Sequence, residues 1–322
     1  MDFPSFRQLV ASSERRVYKP SRGSTFDGTV DVVKGLHYGQ RKLILSEIEF
    51  LTAVLQAETD STKPILVVYA GAANGSHLPH LFQLFPQVKF VLIDPAPFCE
   101  AVRRISQTDG PIVEIIEGYC TDELCMRLKR SHQGEYRIVL VSDIRSGAPN
   151  RSTNKEHTEM IMRDNAWQRG WYSCLNAESA MLKFHPPYPK VTDPASPKYE
   201  PEDDTPNIMP YLEGKLLWGV WAPKSSSEVR LIVQGELKER LYDAVEFEEQ
   251  CYFYNTTDRF VRDVEAERAI LKSYVAYVKP DADVDVLSKA LSEFLGFPKF
   301  LPLQQSEDEA RIISLLYLSK TR

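Results

Sequence analysis

The 322-residue sequence predicts an α/β fold: a mostly parallel central sheet with helices on both faces, an antiparallel edge and a helical C-terminal extension. Three observations predict it. Short apolar, β-branched runs at 65–70, 88–93, 112–116 and 137–142 alternate with helical segments, the pattern of a parallel sheet covered on both sides. The first run breaks into a glycine loop that opens a helix. Further runs at 180–184, 215–221 and 229–233 follow, and the last two are expected to pair antiparallel at one edge.

Each element follows from its residues. Residues 1–35 are polar and turn-rich and predict an irregular arm. Over 40–56, Ile44, Ile48, Leu51 and Leu55 recur at helical spacing and describe one buried stripe, with Lys42 near the helix start and off that stripe. Helices are expected at 76–85, 121–132 and 154–176. The stretch 186–210 carries eight prolines, so it predicts a long loop rather than a helix or central strand. A loop of that length is usually a lid or an insertion. Helices at 259–277, 284–294 and 307–319 close the chain. The reading is therefore one domain over 1–322, with an arm (1–35), a core (36–255) holding the 186–210 insertion, and a helical extension (256–322).

Composition narrows the class. Hydrophobic residues make up 43%, enough for a substantial core, and the net charge of −6 argues against a generic polyanion binder. Local basic clusters remain compatible with RNA; Arg15, Arg16, Lys19 and Arg22 form one, and Arg145 is a further candidate. Five cysteines without a CxxC pair predict reduced thiols and no metal site. The N-terminus lacks an apolar h-region and no run reaches the roughly 20 apolar residues of a membrane span, so an intracellular, cytoplasmic protein without membrane contact is expected.

In the run Gly71-Ala-Ala-Asn-Gly75-Ser-His77 a loop follows a strand and opens a helix. Glycine lets the backbone turn and approach a ligand without a Cβ in the way, and the helix start offers free N–H groups. Asp94 closes the next strand, where an acid can bind ribose hydroxyls. The loop is neither GxGxxG nor a P-loop, and its spacing and Ala/Asn content fit S-adenosyl-L-methionine better than a dinucleotide.

Lys42, Asp143, Lys183 and Glu228 are the candidate chemical groups. Asp143 lies just beyond a buried strand, Lys183 ends the run Ala-Met-Leu-Lys, and Glu228 opens Glu-Val-Arg-Leu-Ile-Val. Ligands sit at the carboxyl ends of strands in open α/β sheets. Singly each has an ordinary reading: a surface lysine, a turn cap, an edge-strand charge. Together, two amines and two carboxylates suit deprotonation of a weakly acidic hydroxyl. A lysine serves as base where burial and a neighbouring like charge favour the neutral amine.

Their order resembles the poxvirus cap-specific mRNA (nucleoside-2'-O-)-methyltransferase, or poly(A) polymerase small-subunit, family. The segments that carry the resemblance are GQRKLILSE, VVYAGAANGSH, VLID, VSDIRS, LKFHPPYP, APKSSSEVRL and DAVEFEEQCYFYN, spread over roughly 38–255. The resemblance implies a Rossmann-like S-adenosylmethionine-dependent methyltransferase core, with Lys42, Asp143, Lys183 and Glu228 as the catalytic set. It further implies a cofactor site lined by Gln40, Tyr69, Gly71, Gly75, Asp94, Cys120 and Asp143.

For the 7-methylguanosine cap, the family stacks the cationic base between two aromatic rings and engages its edge with carboxylates. By resemblance Tyr18 and Tyr188 would be the rings and Glu248 a carboxylate, with His185, Pro186, Pro187, Ser226, Ser227 and Glu228 around the substrate. A flat cation is favoured between π faces. The chain departs from the family at three positions: Ala96 and Ser225 replace an arginine and a tyrosine, and Lys190 stands where a second edge-reading carboxylate would be.

The implied reaction is methyl transfer from S-adenosylmethionine to the 2'-hydroxyl of the first transcribed nucleotide of capped (m7GpppN) mRNA. The implied partner is a poly(A) polymerase catalytic subunit or other transcription machinery, and a viral source would place the chain in a virion or viral factory. Two other readings use the same fold: a 2'-O-methyltransferase acting on ribosomal or transfer RNA, and a polymerase-accessory RNA-binding subunit.

Overall fold

The computed structural model describes residues 1–17, 38–57, 62–147, 154–192, 194–195, 199, 201, 204–222 and 226–309. In chain order the elements are a 3-10 turn (Ser5–Arg7), β1 (Gln8–Leu9), α1 (Tyr38–Gln56), β2 (Ile65–Ala70), α2 (Leu78–Leu84), β3 (Lys89–Ile93), α3 (Glu100–Ser106) and β4 (Ile112–Ile116). There follow α4 (Asp122–His132), β5 (Arg137–Ser142), α5 (Asn154–Leu175), β6 (Ser179–Phe184), β7 (Ile208–Leu212) and β8 (Lys215–Trp218). The last are β9 (Val229–Gln234), β10 (Glu239–Asp243), α6 (Ala244–Thr256), α7 (Arg259–Tyr277) and α8 (Val284–Phe294). The chain is described as two compact units. One holds Met1–Ala57, Trp218–Ser227 and Glu249–Arg322; the other holds Glu58–Leu217 and Glu228–Glu248.

The second unit is the α/β core. Its strands run in the order β8-β9-β6-β5-β2-β3-β4. The pairs β2·β3, β3·β4, β2·β5 and β5·β6 are parallel, and β9 is antiparallel to β6. Every residue of the central strand β2 is buried, as a strand covered on both faces requires. From β2 the chain steps to β3 and β4 on one side, then returns to β5 and β6 on the other. Right-handed crossovers in opposite directions put their helices on opposite faces. Accordingly α2 packs on α3, and α4 packs on α5.

That reversal fixes where the functional residues gather. Ala70 is level with Ser142, and Ser142 with Leu182, so β2, β5 and β6 end together. Running the other way, β9 begins at that same end, with Arg230 opposite Lys183. Gly71, Asp143, Lys183 and Glu228 therefore stand at one end of four adjacent strands.

Several expectations are revised. Strands β8 and β9 are hydrogen-bonded neighbours as expected, and β9 in addition pairs antiparallel with β6 on its other side. The strand expected over 215–221 stops at Trp218. The 186–210 loop ends earlier, because Ile208–Leu212 pairs with Glu239–Asp243 in a separate antiparallel ribbon. Pro210 is exposed there, as a residue without an N–H must be on a ribbon outside the main sheet. Helices α3 and α6 lie where none is expected. Helix α4 matches closely: the Thr121 side chain accepts the Leu124 N–H (3.2 Å), Asp122 and Glu123 lie in its first turn, and Lys129, Arg130 and His132 in its last.

The first unit packs α1 against α7, and α7 against α8. Helix α1 is buried nearly all round rather than along one stripe: Leu43, Leu45 and Phe50 are as enclosed as Ile44, Ile48 and Leu51, whereas Leu55 is half-buried. The start of the expected arm is anchored. Buried Arg7 donates to both oxygens of Glu49 (3.0 and 2.7 Å) and to the Trp218 carbonyl (2.9 Å), and the Trp218 indole N–H returns to the Phe6 carbonyl (2.9 Å). Helices α7 and α8 match their expected spans. The helix expected over 307–319 falls mostly outside the described residues. Among the described residues no helix is long and apolar enough to cross a membrane, and all five cysteines are free thiols.

Candidate active site

The loop after β2 is built by close backbone contact. Gly71 has φ +81°, and a Cβ there would sit 2.9 Å from both the Asp143 carbonyl carbon and the Ile144 nitrogen. Only glycine fits such an approach of two loops. The Asp143 N–H donates to the Ala70 carbonyl (3.0 Å), which ties the end of β5 to the end of β2. Gly75 is also left-handed (φ +73°), and its Cβ would lie 3.0 Å from Leu78 Cδ1.

Asp94, one residue beyond β3, accepts the N–H of Ala73 through Oδ2 (3.0 Å) and that of Ala96 through Oδ1 (2.8 Å). These bonds orient the carboxylate and leave lone pairs for a ligand hydroxyl. Tyr69 is buried in β2. Cys120 is half-buried with its sulfur 3.6 Å from that of Cys125; the hydrogen bond with Cys125, then burial, push its thiol well above the usual range.

Across the end of the sheet lies a cluster of four charges. The Lys183 ammonium stands 3.4 Å from Asp143 Oδ1 and 3.2 Å from Glu228 Oε2. Arg230 reaches the same two acids, donating to Asp143 Oδ1 at 2.7 Å and approaching Glu228 Oε1 at 3.7 Å. Burial by itself would push the Asp143 carboxyl up, but Arg230 and Lys183 outweigh it and hold it below the ordinary aspartate range. Burial opposes the charge of Arg230, and Asp143 and Glu228 override it, raising that guanidinium above its usual value. The arrangement fixes an amine between two acids at the carboxyl ends of parallel strands.

Arg230 is the residue that sequence reasoning passes over. Its signal is alternation: two positions after Glu228 it enters a strand of buried apolar neighbours, where a charge needs partners.

A second group gathers beside the cluster. The Tyr188 ring stacks on His157, centroids 5.0 Å apart and planes 9° apart, and His185 tilts against it at 4.4 Å. His185 Nε2 lies 3.1 Å from Glu248 Oε1, so Glu248 faces an imidazole. Burial first, then His185 and Arg145, hold the His157 imidazolium below the usual histidine range. Pro186 and Pro187 are buried, and the Lys190 N–H donates to Asn207 Oδ1 (2.9 Å). Nothing in the sequence singles out His157. Tyr18, Lys19, Arg22 and Ser225 lie outside the described residues. Arg145 is engaged with buried Asp164 (3.6 Å), while Arg15 and Arg16 are exposed.

Lys42, Gln40, Ser226 and Ser227 belong to the first unit. Lys42, the fifth residue of α1, is half-buried. Gln40 Oε1 is buried without a hydrogen-bond partner among the described residues. The Ser226 carbonyl accepts Asn255 Nδ2, and that of Ser227 lies 3.9 Å from the Cys251 sulfur.

A family model described as "Poly A polymerase regulatory subunit" matches residues 27–277. The "Cap-specific mRNA (nucleoside-2'-O-)-methyltransferase" of Fowlpox virus (strain NVSL) is 26% identical over 188 residues, which cover 57% of this chain and 55% of that protein. The chain thus matches about half the length of this curated relative. Among solved structures, that of bluetongue virus VP4, titled as a multifunctional RNA-capping production-line, aligns with a TM-score of 0.45 at 12% identity, covering 75% of this chain and 34% of that one.

Proposed function

The chain belongs to the poly(A) polymerase regulatory subunit family, and from that premise we propose that it is an S-adenosylmethionine-dependent RNA methyltransferase. Its substrate in this reading is capped mRNA, methylated at the ribose 2'-hydroxyl of the first transcribed nucleotide (cap 0 to cap 1). The observation that carries the reading is the Lys183 amine held between Asp143 and Glu228 at the strand ends that flank Gly71.

The residues fit the cofactor. A loop with no room for a Cβ at Gly71 and an oriented Asp94 carboxylate are groups that a nucleoside bearing an amino acid would use, and Gln40 is proposed to join them. Tyr69, Gly75, Cys120 and Asp143 complete the expected lining. When bound, S-adenosylmethionine supplies a methyl group activated by the positive charge on its sulfur.

This chain's own residues do the rest. In its neutral form, after giving up one proton to solvent, Lys183 Nζ takes the proton from the ribose 2'-hydroxyl, which is a poor nucleophile until deprotonated. Asp143 and Glu228 aim that amine, and Arg230 holds both acids in turn. Lys42 supplies the second amine of the set. The remaining demand is placement of the attacking oxygen. Tyr188 offers a ring face to the cationic cap base and Glu248 a carboxylate to its edge. Tyr18 is the proposed second ring, and His185, Pro186, Pro187, Ser226 and Ser227 are proposed to surround the substrate.

The test is methyl transfer from labelled cofactor to m7GpppN-capped, GpppN-capped and uncapped RNA, with the modified atom mapped. Methylation at the first ribose 2'-oxygen, dependent on the cap, is the expected result. Equal transfer to uncapped RNA would favour a ribosomal or transfer RNA substrate. A second role, as an accessory subunit of a poly(A) polymerase catalytic subunit, is favoured by the family's description. It is separable, because polymerase stimulation should survive Lys183→Arg while methylation should not.

A further inference from the structure

Within the first unit, one buried carboxylate connects three stretches of chain that are remote in sequence. Glu267 of α7, wholly buried, accepts the Arg41 guanidinium through Nε at 2.9 Å, the Ser288 hydroxyl at 2.6 Å and the Trp221 indole N–H at 2.7 Å. Arg41 also donates to Ser292 Oγ (2.9 Å). One turn before Glu267, Asp263 accepts the backbone N–H of Trp221. The two acids are i and i+4, hence on one face of the helix.

Trp221 itself is bent. Its φ is +61°, a left-handed conformation that a bulky residue adopts at a cost and keeps only where its surroundings over-determine it. Here they do: its indole and its backbone are each held by a buried carboxylate, and its ring meets Phe260 and Phe300 edge-on.

The consequence lies two residues earlier. Gly219 faces the side chain of Lys42 so closely that a Cβ would come within 2.9 Å of Lys42 Cδ and 3.3 Å of its Cγ. Its backbone is not left-handed, so glycine is required there by contact and not by conformation. Glu267 thus holds the residue before Lys42 through Arg41, and through Trp221 it holds the segment on which the Lys42 stem lies. The bonds also satisfy a buried ion pair.

We propose that Gly219 is a positioning residue: the segment pinned through Trp221 to Glu267 and Asp263 sets where the Lys42 amine lies. Its consequence for catalysis rests on the reading in which Lys42 takes part in methyl transfer.

Gly219→Ala is the direct test. The added methyl meets the flexible Lys42 stem and, at 3.2 Å, the Ala222 Cβ, so the variant is expected to fold with a modestly lowered melting temperature while Lys42 shifts. Two readouts are taken. In protein with 13C-methylated lysines, the Lys42 resonance, assigned by its loss in Lys42→Arg, should move while the other lysine signals stay. In unmodified protein, kcat for methyl transfer should fall by about 100-fold, the scale of a misplaced reacting group, with KM for capped RNA little changed. Trp221→Phe, which removes the indole N–H, is read in parallel and should move the same resonance, so the inference stays testable if the alanine variant does not fold. An unmoved Lys42 resonance in the folded variants would overturn the positioning role whatever the activity. A moved resonance with intact kcat would uphold the positioning of Lys42 and overturn instead the part given to Lys42 in the reaction.

Discussion

Lys183 and Arg230 are direct partners across the antiparallel β6·β9 pair, two cations on one face of the sheet. Like charges at such positions repel. They coexist because Asp143 and Glu228 stand between them, each within 4 Å of both. The acids that aim the proposed base are therefore also what allows its strand to pair.

Lys183→Arg should keep the ion pairs and the fold, because arginine is a cation of similar reach. It should not act as a base, since guanidinium does not give up its proton near neutrality. The expected result is a loss of methyl transfer of about 10²–10⁴-fold with an unchanged melting temperature. Labelled-methyl assays beside thermal unfolding check it, and normal 2'-O-methylation by the folded variant would refute the assignment.

Asp143→Asn should destabilise, on the order of 3 kcal/mol, because it leaves partly buried cations facing one another. The pH dependence has a definite sign. Arg230 and Lys183 hold the Asp143 carboxyl below its ordinary value against the opposing effect of burial, so its ionisation favours the folded state. That contribution is complete above the unfolded aspartate pKa of about 3.9 and is lost as the pH falls through the lowered native value. Urea unfolding at a series of pH values should find the gap between wild type and Asp143→Asn closing below about pH 4.

Gly71→Ala confronts backbone atoms, which cannot step aside as a side chain does. A methyl in that contact, at a left-handed φ, should cost about 1–3 kcal/mol and prise the β2 and β5 loops apart. The thermal shift produced by S-adenosylhomocysteine in the wild-type protein is expected to vanish in the variant. A retained shift would remove this loop from the cofactor site.

Tyr188→Ala should weaken binding of m7GpppG more than binding of GpppG. The difference expected from a ring over a cation is about 1–2 kcal/mol, or roughly 5–30-fold in affinity. Fluorescence titration of the two analogues measures it, and equal losses would mean that Tyr188 packs rather than recognises.

Glu267→Gln should strand the Arg41 charge in the interior. Removing one member of a buried pair costs about 3–5 kcal/mol, and the drop in urea midpoint should reflect that. An unchanged midpoint would mean that solvent reaches Arg41.

Much of the α/β core is readable from local pattern. The runs that became β2, β4 and β5 have the expected bounds, and α4 begins beside its Thr121 cap. Helix α3 is too short to build a stripe, and α6, Ala244–Thr256, mixes buried and exposed residues without a clean period. The ribbon β7·β10 escapes because Pro210 argues against a strand everywhere except on a free edge. Of the candidate catalytic residues, Asp143, Lys183 and Glu228 come together as expected, whereas Arg230 and His157 become visible only once their neighbours are known.

By itself the amino-acid order determined the alternation of strands and helices, the glycine turn after β2, and the acids and amines at strand ends, because periodicity, caps and turns are decided by neighbours along the chain. Only the folded molecule decided that Lys183 faces a second cation, that Tyr188 lies on an imidazole, and that a tryptophan bends to hold the segment beneath Lys42. Those facts arise where strands reverse direction and buried charges must find partners far away in sequence, and local pattern carries no information about which distant group will be there.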